Sequence, residues 1–139
     1  MAKVCGIEIK GSTAIIVGLE GETPNFKVIP IEFKKLNLED STSQAAVKAF
    51  YQTISEFFKT HQFDIVHSWH WSSDWTEALA VRSSGVKWLY TKKAMGYDSV
   101  HWKIRSYLAN FIVTINNEMQ AYFPSKKQQA LIPLGIDSD

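Results

Sequence analysis

The 139-residue chain has one cysteine, Cys5. It therefore has no internal disulfide framework and no multi-cysteine zinc site, and a reducing compartment suits it. No apolar run approaches the roughly 20 residues that span a bilayer. There is no excess of either charge: 15 Lys and Arg against 14 Asp and Glu leave a formal +1. A neutral chain gives no electrostatic pull toward nucleic acid or a membrane surface, so neither is expected as a partner. The first 68 residues have no tryptophan; all five lie between Trp69 and Trp102. Such a shift can mark a boundary between units of different origin. Met1 to Gly6 runs straight into a strand pattern, so no leader peptide is expected and the cytoplasm is the default location.

What is present suits one soluble globular domain over residues 1–139. The 45% hydrophobic and 21% charged content is ordinary for that class, and the length suffices for a real core.

Lys3 to Ile9 alternates as a strand, Lys10-Gly11-Ser12 turns, and Thr13 to Glu20 is β-branched and apolar, which together predict a hairpin. Phe26 to Phe33 predicts a third strand, with Pro30 marking an edge or bulge. The period then changes. Asp40-Ser41 supplies a helix cap, and Ile54, Phe57 and Phe58 follow at helical spacing as part of an apolar stripe. Phe63 to His67 is a short buried strand running into the ring-rich Ser68-Trp69-His70-Trp71.

Beyond it, strand and helix alternate. Asp74 and Glu77 have capping spacing before a helix that stops at Gly85. Val86–Thr91 is a strand, Asp98-Ser99 caps a helix from Val100, and Phe111–Ile115 is a strand. Asn116 or Asn117 caps a short helix, and Gln129–Pro133 is the last strand. Alternation of this kind predicts parallel strands with right-handed crossovers.

Two resemblances cover the chain. The run Val4-Cys5-Gly6-Ile7-Glu8-Ile9-Lys10-Gly11, with the helix Ser43 to Ile54, is similar to a small bacterial family called domain of unknown function 3010. That likeness spans about residues 1–63 and implies an RNase H-like half. The family's basic, glycine-rich segment is absent. The second half resembles the N-terminal domain of retaining glycosyltransferases of the GT-B type. It does so through Phe63 to Trp71, Trp88 to Met95, Arg105 to Ala109 and Leu131-Ile132-Pro133-Leu134-Gly135-Ile136-Asp137. That family's glycine-rich loop and its nucleotide-sugar domain are absent.

Together these predict an α/β fold, a three-layer α/β/α arrangement around a seven-stranded mixed sheet. The expected order is 3-2-1-4-5-6-7, strand 2 alone antiparallel, with an RNase H-like start and a Rossmann-like end. Helices are expected on both faces from the fourth strand onward. The main functional expectation is a recombined or engineered domain without catalysis or cofactor of its own. The alternatives are an acceptor-side glycosyltransferase fragment and a remnant of a metal-dependent nuclease. Edge strands at both ends leave pairing with a second copy open.

Ligands of open α/β sheets lie beyond the carboxyl ends of strands, where strand order reverses. The candidate binding rim there comprises His67, His70, Lys92, Lys93 and Asn116, with Lys10 and Gly11 beside it. By analogy with the glycosyltransferases, this is where an acceptor lies. Two histidines without a carboxylate or thiol in the motif read more readily as packed loop residues than as metal ligands. Glu8 sits mid-strand, where RNase H-like nucleases place a first metal-binding carboxylate. That chemistry needs several convergent carboxylates, and only Asp64 and Asp74 are near. A solvated strand glutamate is the simpler reading. The tryptophans can stack on a sugar face, but more often fill a core.

Overall fold

A computed structural model of the chain describes residues 2–10, 13–22, 25–29, 44–69 and 75–134. Three strands open it: β1 (Ala2–Lys10), β2 (Thr13–Glu22) and β3 (Asn25–Ile29). Then come α1 (Gln44–His61), β4 (Ile65–Ser68), α2 (Thr76–Ser83), β5 (Lys87–Lys92), α3 (Val100–Leu108), β6 (Phe111–Thr114), α4 (Asn117–Gln120) and β7 (Gln129–Leu131). All seven strands form one sheet in the order β3-β2-β1-β4-β5-β6-β7. β2 runs antiparallel to β1 and β3, and every pair from β1–β4 to β6–β7 is parallel. This is the predicted order and direction.

The join between the two halves is the β1–β4 ladder, with Val4 opposite Ile65 and Ile7 opposite Ser68. Asp64 secures its start. The backbone N–H of Lys3 donates to Asp64 Oδ2 at 2.7 Å, and the N–H of Asp64 donates to the Lys3 carbonyl at 2.9 Å. The N–H of Trp69 donates to the Ile7 carbonyl at 2.9 Å, carrying the ladder one rung past β4.

The period of two sorts the sheet's side chains. On one face Cys5, Ile7, Val66, Ser68, Trp88, Tyr90, Lys92, Ile112 and Thr114 are all buried. Helices α1, α2 and α3 cover this face. Ile54 and Phe58 of α1 and Ala78 and Val81 of α2 share one core with Cys5, Val66 and Trp88, and Ser106 of α3 bonds the Tyr90 hydroxyl at 2.7 Å. The steps β4 to β5 to β6 all go the same way, and right-handed crossovers of constant direction lay their helices on one side. Among the described residues, the helical cover expected on both faces is thus seen on one. The other face presents Val4, Gly6, Ile65, His67, Leu89, Phe111 and Val113, all half-buried, with Thr91.

The predicted punctuation falls partly as expected. Gly85 follows α2 at φ +83, a left-handed value that glycine adopts without steric cost. Ser99 accepts from the His101 N–H and caps α3. Glu77 departs from its expected capping role. It is buried and faces the core, and the N-cap position, Trp75, makes no side-chain cap bond. The caps proposed at Asp40-Ser41 and Asp74, and Pro30, lie outside the described residues. Among those residues no helix is long and apolar enough to cross a membrane.

Candidate functional site

The carboxyl ends of β4 and β5 carry two separate groups of side chains, one on each face of the sheet. On the face away from the described helices stand His67 of β4 and Thr91 of β5, with Trp69 and Lys93 one position past the ends of those strands, at spacing two. His67 Nε2 and Thr91 Oγ1 share a 2.9 Å hydrogen bond in which either group can donate. The imidazole lies 4.8 Å from the Trp69 ring, centroid to centroid, tilted by 40°. The Lys93 ammonium is 5.6 Å from the Trp69 ring centroid. Burial alone drives the His67 pKa down to about 4, so the ring is neutral near pH 7. A neutral imidazole tied to a hydroxyl orients its neighbour rather than supplying charge.

Trp69 is 39% exposed although both its main chain and its ring are held. The backbone of Glu8 lies in β1 opposite Ile15 of β2; its side chain lies outside the described residues. Asp64, the other carboxylate weighed for metal binding, sits at the opposite end of the strand, tied to Lys3. Among the described residues no three His, Cys, Asp or Glu side chains gather as a metal site.

The helix-covered face holds a charged network under aromatic rings. Arg105 and Glu77, both buried, are 3.8 Å apart. Ser68 Oγ donates to Glu77 Oε2 at 3.1 Å and accepts from Arg105 at 2.9 Å. Trp88 Nε1 donates to Glu77 Oε1 at 3.1 Å, and the Arg105 guanidinium lies 4.8 Å from the Trp88 ring and 5.1 Å from Tyr90. A carboxylate satisfied this fully and enclosed in core is a structural brace.

Lys92 belongs to this side. It is fully buried, donates to the Ala94 carbonyl, and places Nζ 3.6 Å from the Trp102 ring centroid. Burial, and secondarily the Arg105 charge, bring its pKa down to about 8; the indole face favours the ammonium and opposes that shift. Burial likewise pushes the Cys5 thiol up to about 12, so it is no nucleophile.

The sequence-derived rim is therefore divided. His67 and Lys93 come together on the face away from the described helices. Lys92 faces the other way because β5 alternates. Asn116 is occupied as a cap: its Oδ1 accepts from the Met119 N–H at 2.8 Å and its Nδ2 sits 3.8 Å from Met95 Sδ. His70 and Gly11 lie outside the described residues. Sequence reasoning left Trp69 and Thr91 off the rim and missed the Ser68–Glu77–Arg105 network. Strand parity was the signal for the first pair: residues 67 and 69, and 91 and 93, must share a face. Nothing local signalled the second.

No curated protein matches the chain. Residues 2–68 match the sequence model of a family described as a protein of unknown function, DUF3010, and the match ends with the last residue of β4, one position before Trp69.

Proposed function

We propose that this is a recombined α/β domain without catalysis of its own, in which an RNase H-like half and a glycosyltransferase-like half complete each other's sheet. The carrying observation is the single core across the β1–β4 ladder. Cys5, Ile7, Ile54 and Phe58 from the family-matching segment interleave with Val81, Trp88, Tyr90 and Ile112 from beyond it. Each part alone would leave a long unpaired strand edge. The polar side chains around the strand ends favour the same reading, since Lys92 of β5, Glu77 of α2 and Arg105 of α3 are engaged in packing and Asn116 in capping.

The test is thermodynamic. Hydrogen exchange in urea should give the amides of β1 and β5 one common, global opening energy. Two separate transitions would remove the reading. A second reading, the acceptor-side fragment of a GT-B glycosyltransferase, is favoured by His67, Trp69 and Lys93 meeting where the strand order diverges. It requires measurable sugar transfer from a UDP- or GDP-sugar, and no turnover is the outcome our first reading expects.

A further inference from the structure

We propose that the sheet face away from the described helices, at the ends of β4 and β5, binds a small ring bearing an anionic group, the ring against the Trp69 indole and the anion at the Lys93 ammonium. This goes beyond the folding reading and does not depend on it.

Three observations converge. The first is position. From β1 the chain builds β2 and β3 to one side, and β4 to β7 lie on the other. Open α/β sheets take ligands beyond the carboxyl ends of strands where the order reverses, and Trp69 stands at that end of β4, its N–H donating to the Ile7 carbonyl.

The second is preorganisation. A tryptophan left 39% in water is ordinarily a loosely held surface ring, and this one is not. Its main chain is fixed by the Ile7 carbonyl, its ring rests 4.8 Å from the imidazole of His67, and His67 is anchored on Thr91. Thr91 is itself buried. An aromatic surface whose supports are locked loses little entropy when a ring settles on it. His67 is here a positioning residue, acting through Trp69.

The third is charge. Among the described residues no carboxylate pairs with Lys93, whose ammonium faces the Trp69 ring. The neutral imidazole adds no competing positive charge, and Lys92 points into the core on the other side. One available ammonium beside one available indole suits one ring with one anionic group.

The ring can be aromatic or a sugar, since both stack on indole, and the experiment separates them. The full chain, 15N-labelled, is titrated with adenosine 5′-monophosphate and with glucose 6-phosphate, with adenosine and inorganic phosphate as the part-ligands. The Trp69 indole N–H is the reporter. A saturable shift with either ring phosphate, tighter than with either part-ligand, is expected, and the better of the two names the ring. Trp69→Ala should weaken binding at least about fivefold, read on the amides of Thr91 and Lys93, whereas Trp69→Phe keeps much of it. Lys93→Gln should weaken it about two- to fivefold and flatten its salt dependence. The proposal falls if no shift saturates by about 10 mM, well above the millimolar range of weak specific ligands. It also falls if inorganic phosphate binds as well as the ring phosphates, or if Trp69→Ala binds like the parent. Circular dichroism of each variant establishes that the sheet is intact.

Discussion

Lys92 and Lys93 are adjacent in the chain and stand on opposite faces of β5. One is sealed under Trp102 and the other reaches Trp69. Removing a single partner from the buried network has a predictable outcome. Glu77→Ala leaves the Arg105 guanidinium enclosed without its carboxylate and should cost roughly 3–5 kcal/mol in urea unfolding. Replacing Glu77 and Arg105 together by apolar residues of similar volume should cost much less. His67 gives a pH dependence. Its folded pKa, about 4, lies below the ordinary 6.5, so the unfolded chain binds the proton more readily. The contribution is fully present above pH 6.5 and declines as pH falls through 4. It is worth on the order of 2 kcal/mol, allowing for the part of the ring that water reaches. Subtracting the acid limb of His67→Gln from that of the parent measures it; parallel limbs would contradict it.

At the scale of elements, the end of α1 is the least comfortable join. Gln62 takes φ +50, among described residues the one non-glycine in the left-handed region, and its N–H donates to the Phe58 carbonyl at 3.3 Å. Gln62→Gly should raise stability by about 0.5–1 kcal/mol in chemical denaturation, since glycine accepts that φ without a Cβ clash. Element types and order were legible because period changes are abrupt: two in β1, helical through Ile54 and Phe58, two again at Val66. Gly85 and Ser99 were readable as caps because a left-handed turn and an N-cap each demand particular chemistry. Glu77 was not readable. Three residues after an aspartate it has the spacing of a capping partner, and only Trp88, Ser68 and Arg105, distant in sequence, draw its carboxylate inward. The rim was half legible for a similar reason: proximity in sequence suggested Lys92 with Lys93, and the pleat divides them.

For the whole molecule, strand order was accessible because a meander followed by βα units leaves few sheets that are unknotted and right-handed. Crossovers of constant direction stack the described helices on a single side. The β1–β4 ladder also bears on biosynthesis. A chain emerging from the ribosome makes the meander early, yet the free side of β1 must wait until Ile65 to Ser68 are synthesised. During that interval a nascent polypeptide carries an open strand flank next to apolar Ile7 and Cys5, and other unfinished copies can anneal there. Slow translation before Ile65 to Ser68 have emerged from the ribosome should therefore lower the soluble yield more than an equal pause after they have emerged.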